Sequence, residues 1–374
     1  MVRKAPPGWL IDDKKRHTMN KNNDTNKYHF KNLVFEGGGV KGIAYVGALE
    51  VLDQEGILKD IKRVAGTSAG AMVAVLVGLG YSAAELRGIL WNLNFQNFLD
   101  DSWGYIRDTK RFITDYGWYK GDFFRNLMAD YIKQKTGNGE ATFKDLQDNT
   151  KYKDISLIGA DLSTGCTKVF NAKNTPDFKV ADAARISMSI PLFFAAVKGV
   201  NKDNHIYVDG GLLDNYAIKV FDRKNLVYDQ QNNARRTDYY EILNEKLSTI
   251  VPRTARPGLS KNLYVYNKET LGFRLDGKDE IAKFIDPEFQ PPAKEIKSLF
   301  SYTKALITTL LDAQDSVHLH NDDWQRTVFI DTFDVGPIDF DISDKNKQKL
   351  VDSGTACTQA YLEWYNNDEE KANK

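Results

Sequence analysis

The chain opens polar and becomes regular at Lys31. Leu33-Val34-Phe35 is a short apolar run that breaks into Gly37-Gly38-Gly39, which predicts a buried strand entering a tight turn. Ile43, Val46, Leu49 and Leu52 then recur at helical spacing, and Gly56 stands where that helix would stop. Residues 61–65 repeat the strand pattern, followed by a turn over 66–70 and a small-residue apolar helix to about Leu79. Ser82, with Glu85 three places on, is a helix-start signature. A third strand is predicted over 155–160, a β-like stretch over 167–170, a helix over 180–185, and a short strand over 206–208 that runs into Asp209-Gly210-Gly211. Strands alternating with helices over this length predict an α/β layer with a mainly parallel sheet.

Two regions break the rhythm. Residues 91–131 hold twelve aromatics in 41 positions, against 12% for the whole chain. They include Trp91, Phe95, Phe98, Trp103, Phe112, Trp118, Phe123 and Phe124. Such a segment is either core helices with large side chains or an acyl-binding surface partly open to lipid. Residues 222–262 are a polar excursion. Beyond it the pattern predicts a strand over 263–266, a helix over 301–319, a strand over 328–333 and a closing helix over 347–364. The expected organisation is a flexible polar arm over 1–30, a catalytic domain over 31–221, a C-terminal extension packed on it over 222–365, and a polar tail over 366–374.

Charge and composition then remove several function classes. The 51 basic and 51 acidic residues cancel, so no global field draws the 374-residue chain to nucleic acid. The two cysteines, Cys166 and Cys357, cannot build a disulfide framework, a multi-cysteine zinc site or an iron–sulfur site. Of the five histidines, His318 and His320 are two apart, whereas a zinc-binding helix presents them four apart. No cofactor and no metal are expected. Residues 1–30 lack the apolar run of a signal peptide. The uncharged stretch 64–84 is long enough to span a membrane, but four glycines and several hydroxyls make it a buried strand–turn–helix instead. A cytoplasmic location is expected; signal-free export as an effector is compatible with the same features.

Three motifs can carry chemistry. Gly66-Thr67-Ser68-Ala69-Gly70 is a G-x-S-x-G between a strand and a helix, the setting of a nucleophile elbow. The backbone there is strained and crowded, so positions two before and two after the serine must be small. Gly37 to Gly42 reads G-x-G-x-x-G. It suits dinucleotide binding only if an acidic residue ends the second strand; Glu55 and Asp60 both precede that strand. It also suits an oxyanion hole, with successive Gly37, Gly38 and Gly39 N–H groups aimed at one spot, and the nearby serine motif favours that reading. For the base, His318 or His320 would complete a triad, but both fall inside a predicted helix. Asp209 is the alternative: a short strand presents it, and Gly210 and Gly211 let the backbone pass close to the serine. An Asp is a weak base, so it would act through geometry and desolvation.

Together Glu36 to Gly42, Gly66 to Gly70, Asp209 to Gly211 and the stretch from Ala183 to Pro191 resemble the signatures of the patatin-like phospholipases, over roughly residues 32–220. The resemblance implies a three-layer α/β/α sandwich with a central, mostly parallel sheet. It implies a Ser–Asp dyad with Ser68 as nucleophile and Asp209 as base. Oxyanion donors fall on the backbone of Gly37, Gly38 and Gly39, and Lys41 stands at the loop's basic position. Gly42, Gly66, Gly70, Gly210 and Gly211 support loop and elbow. The implied activity is hydrolysis of fatty-acyl esters in phospholipids or lysophospholipids, with peripheral membrane contact. Met188, Ile190, Leu192, Phe193 and Phe194 are candidates for the acyl wall. Three rivals stay open: an esterase with a Ser–Asp–His triad, a non-catalytic nucleotide- or lipid-binding protein, and an enzyme latent until a protein partner or membrane activates it.

Overall fold

The structure, a computed structural model, describes residues 28–98, 114–199, 204–250, 263–286, 288–293, 295–315, 322–367 and 373. Its centre is an eight-stranded sheet. The strands are β1 (Asn32–Phe35), β2 (Arg63–Thr67), β3 (Asp154–Asp161), β4 (Cys166–Phe170), β5 (Val197–Lys198), β6 (Ile206–Asp209), β7 (Thr270–Asp276) and β8 (Thr327–Asp331). The spatial order is β8-β7-β1-β2-β3-β6-β5, with β4 on β3. The pairs from β8 to β3 are all parallel, and those made by β4, β5 and β6 are antiparallel.

Both faces of the sheet are covered, which is why its strands read as nearly continuous apolar runs. Leu33, Phe35 and Val64 point to one face and join the main core, under α1 (Tyr45–Gln54), α2 (Ala69–Gly78) and α8 (Asp344–Asn367). Val34 and Ala65 alternate to the other face and meet Tyr216, Ile218 and Phe221. That second layer is thin, built here from short 3-10 turns after β6. Of the remaining helices, α3 (Ala83–Trp91) packs on α1, and α4 (Asp122–Thr136) packs on α5 (Val180–Ser187), which lies on β3. The Ser82–Glu85 capping box forms: Glu85 N–H donates to Ser82 Oγ at 3.2 Å and Ser82 N–H to Glu85 Oε2 at 2.7 Å.

Register at β3 decides where the site forms. β4 runs along one edge of β3. The other edge is shared end to end. β2 pairs it in parallel as far as Thr67 opposite Ile158, and β6 takes over antiparallel from Asp209 opposite Gly159. The C-terminal ends of β2 and β6 therefore abut over two consecutive residues of one strand.

Several expectations need correction. The division at residue 221 is not a boundary in space, because β7 pairs β1 and β8 pairs β7 within the central sheet. The sequence reading missed β7: Gly272, Arg274 and Asp276 interrupt its apolar run, yet Leu271, Phe273 and Leu275 are buried, and Arg274 satisfies Asp276 at 2.8 Å. The apolar run 263–266 makes only an isolated bridge at Tyr264 and the two-residue strand Tyr266–Asn267. The polar excursion contains a helix, α6 (Asp238–Ile250). Beyond it, α7 (Leu299–Asp315) matches the helix expected over 301–319. The end of the arm is packed: Phe30 is buried, and the Tyr28 and Phe30 rings meet Tyr365 of α8 at 5.7 and 5.2 Å. In the tail, α8 runs to Asn367, and Asn373 is buried with its Nδ2 donating to Lys268 O at 2.7 Å. The rest of the arm, aromatic residues Trp103 and Phe112, and His318 and His320 lie outside the described residues.

Candidate active site

Ser68 stands between β2 and α2 with φ 53° and ψ −126°, a positive φ that a serine adopts only under constraint. The constraint is visible. A Cβ at Gly66 would lie 2.1 Å from Gly70 O, and one at Gly70 would lie 2.4 Å from Phe35 O. Only glycine fits at either place. Ser68 N–H donates to Ser187 Oγ at 3.0 Å, and Ser187 Oγ donates to Ile158 O at 2.5 Å. Ser187, fully buried at the end of α5, thus ties the elbow to β3. The first α2 amides, at Ala69 and Gly70, have no acceptor within the helix by position, so a partial positive charge faces the serine.

Asp209 ends β6 and is 2% exposed; Ser68 is 5% exposed. Asp209 Oδ1 accepts the Gly211 N–H at 2.8 Å, and its own N–H donates to Ser189 O at 2.8 Å. Oδ2 is buried with no hydrogen-bond partner among the described residues. Burial pushes the carboxyl up to about 7, with the Gly211 N–H and the neighbouring Ser68 hydroxyl pulling the other way. In this rotamer the Ser68 hydroxyl is turned to Met188 Sδ at 3.8 Å. Serine and carboxylate are adjacent, but not aligned in a hydrogen bond; apo sites often tighten only around substrate.

The glycine loop follows β1. Gly37 N–H donates to Asn215 O at 3.1 Å, and Asn215 Nδ2 donates to Gly37 O at 3.2 Å. The Gly37 amide is therefore committed, which corrects the expectation of three oxyanion donors. For the Gly38 and Gly39 N–H groups no acceptor is seen among the described residues. Gly39 has φ 55°, and a Cβ there would collide with Pro337 O at 1.7 Å. Lys41 Nζ reaches Leu275 O at 3.4 Å, so it ties the loop to β7. Gly42 abuts Ala69, its Cβ position 3.2 Å from the Ala69 Cβ. Glu36, before the loop, accepts the Leu275 N–H at 2.6 Å, and Tyr45 Oη donates to Glu36 O at 2.7 Å.

An apolar slot of about 30 Å³ opens beside Ser68. Met188, Ile190 and Phe194 line it; Leu192 and Phe193 do not. Phe95 and Phe98 add walls from the aromatic-rich segment, and Phe340 adds one from beyond β8. Within this segment the two readings merge, because Phe95 and Phe98 are both buried core and slot wall. Among the described residues no cluster of three or more His, Cys, Asp or Glu could hold a metal ion.

Sequence reading missed Asn215, Ser187 and Phe340. Asn215 follows Asp209 by six places and lacked any signal of its own. Ser187 lies within the stretch from Ala183 to Pro191, but its partners, the Ser68 amide and Ile158 of β3, are distant in the chain. Phe340 is 271 positions from Ala69 and no local pattern connects them.

A mostly parallel sheet flanked by helices, with a serine at a strand–helix elbow, defines the class as an α/β hydrolytic enzyme. The chain belongs to the patatin-like phospholipase family, whose model matches residues 33–222. It is a lipid acyl hydrolase. The protein YqhO of Bacillus subtilis (strain 168) is 29% identical over 340 residues, covering 88% of this chain and 97% of YqhO. The probable lipid hydrolase 463L of Invertebrate iridescent virus 6 is 25% identical over 224 residues, covering 59% of this chain and 72% of that one. In fold, VipD from Legionella pneumophila superposes with a TM-score of 0.51 at 15% identity, over 90% of this chain and 67% of VipD.

Proposed function

We propose that this enzyme cleaves fatty-acyl esters of phospholipids or lysophospholipids through a Ser68–Asp209 dyad. The observation that supports it is the meeting of β2 and β6 on consecutive residues of β3, which sets a strained serine beside a buried carboxyl. Asp209 Oδ2 accepts the hydroxyl proton as Ser68 Oγ attacks the ester carbonyl carbon. The Gly38 and Gly39 N–H groups and the amide of Ala69 hold the oxyanion. Collapse breaks the ester C–O bond, and Asp209 returns the proton to the leaving lysolipid or glycerol oxygen. Water then gives its proton to Asp209, attacks the acyl-enzyme and releases the fatty acid, and the proton passes back to Ser68. Asp209 is suited to this exchange because its carboxyl titrates near 7 rather than in the ordinary range.

No described helix is long and apolar enough to cross a membrane, so contact with the bilayer is peripheral in this reading. The slot has room for about two waters, which supports latency: a protein partner or the lipid surface widens it before turnover.

Lipid product analysis tests the dyad. Intact protein releases fatty acid from phosphatidylcholine or lysophosphatidylcholine vesicles, and Ser68→Ala and Asp209→Asn do not. A fluorophosphonate probe labels Ser68 in the intact protein only. The paired change of His318 and His320 to Ala leaves turnover in place; a loss of several hundredfold in that folded variant would sink the dyad in favour of a triad.

A further inference from the structure

The slot at Ser68 ends against a thin wall. Behind that wall, between α3 and α4, lies an open groove of about 450 Å³. Leu93 lines both spaces. Phe98 of the slot meets Phe123 of the groove, their ring centroids 5.7 Å apart. One layer of side chains separates them. The groove floor is apolar, with Ile89 and Leu127 beside Phe123, and its rim carries the amides of Asn92 and Asn97 and the carboxylate of Glu85.

The slot alone cannot hold a long acyl tail, since a space of about 30 Å³ takes roughly two waters. We propose that slot and groove are two halves of one acyl channel, with Leu93 and Phe98 as its gate. The channel rests on the acyl-hydrolase reading of Ser68. The carboxyl end of the chain lies at Ser68, the middle methylenes pass Leu93, and the tail lies on the groove floor. Leu93 is placed for this: it sits in irregular backbone between α3 and the 3-10 turn Phe95–Phe98, outside any regular ladder. The Glu85 carboxylate at the rim is exposed and held by Lys135 at 2.8 Å and by the Ser82 N–H, so an apolar tail passes without stranding a buried charge.

Gly88 supplies a clean test. It lines the groove from α3, and a Cβ there meets nothing within 4 Å. A large side chain at this place fills the groove without disturbing the core, and replacing a helical glycine does not weaken α3. The measurement is binding of non-hydrolysable ether lysophosphocholines with hexadecyl or hexyl chains to Ser68→Ala protein, with and without Gly88→Trp. Each methylene kept from burial costs roughly fourfold in affinity. Gly88→Trp is expected to weaken the hexadecyl lipid by roughly fifteenfold or more, about two methylenes' worth, and to leave the hexyl lipid unchanged. Gly88→Ala behaves as the parent. Equal effects on both chains, or none on the hexadecyl lipid, would overturn the channel and leave the groove to another occupant, such as a partner protein. Hydrolysis of the matching esters by protein with Ser68 intact is read separately. Chain-dependent binding without any hydrolysis strikes the dyad and leaves the channel standing.

Discussion

Asp209 offers a prediction in which stability and activity oppose each other. Its carboxyl is wholly buried, accepts one backbone N–H, and titrates near 7 in the folded protein. In the unfolded chain it titrates near 3.9. The fold therefore binds this proton more tightly than the unfolded chain does. Its contribution to stability is complete below about pH 4 and is lost as pH rises through about 7. Between the two pH limits the upward shift removes roughly 4 kcal/mol of folding stability. Asp209→Asn has the same shape and no charge, and its side-chain oxygen can still accept the Gly211 N–H. Its buried amide introduces a cost of about 1–3 kcal/mol, but that cost does not vary with pH. The pH-dependent part of the difference between the two proteins thus isolates the carboxyl. Urea unfolding of both at pH 4, 6 and 8 is the assay. The variant should gain about 4 kcal/mol on the parent between the ends of this range, while losing hydrolysis at every pH. In the parent, kcat/KM should rise with pH and level off above about 7. A stability difference that stays flat within about 1 kcal/mol would show that Asp209 titrates ordinarily, and the account of a desolvated base would fall.

Three further outcomes follow from the same geometry. Gly70→Ala drives a methyl into the carbonyls of Phe35 and Glu36, at 2.4 and 2.5 Å; a loss of about 3 kcal/mol or more is expected in thermal melts, and an unchanged Tm would refute the crowding argument. Asn215→Ala removes the bond from Nδ2 to Gly37 O. It should lower kcat roughly tenfold with KM nearly constant, because the loop it steadies acts on the transition state; a rise in KM alone would place Asn215 in substrate binding instead. Arg326→Met removes the guanidinium that holds Asp222 and Asp323 at 2.6 and 2.7 Å in full burial, and leaves Asp323 with Lys219, at 3.3 Å, as a cationic partner. Denaturant titration should register about 3–5 kcal/mol, and a neutral result would mean the carboxylates take up protons at little cost.

The local chemistry was legible because it is made by local constraints. A serine between two glycines, after an apolar strand and before a small-residue helix, announces a crowded turn whatever the rest of the chain does. The alternation of strand and helix patterns likewise predicts the parallel half of the sheet. Helix starts such as Ser82–Glu85 need only four residues to declare themselves. By contrast, β7 looked unlike a strand. Its charges are acceptable only because folding sets Arg274 against both Asp276, at 2.8 Å, and Glu36, at 3.8 Å.

The site itself was half visible. Ser68 and Asp209 each stood out, but they stand 141 positions apart in the chain, and either could have been a structural turn. Their encounter depends on β3, whose edge passes from β2 to β6 between Ile158 and Gly159. The engagement of the Gly37 amide depends on Asn215, and the wall of the slot depends on Phe340. Sequence by itself determined which residues have reactive groups and which backbone positions must be small, since those follow from covalent structure and short-range sterics. Tertiary structure alone decided which of these groups meet, which amide is already bonded, and how far the carboxyl titrates from its ordinary range. Those properties arise from desolvation and contacts between distant segments, and neither exists until the chain has folded.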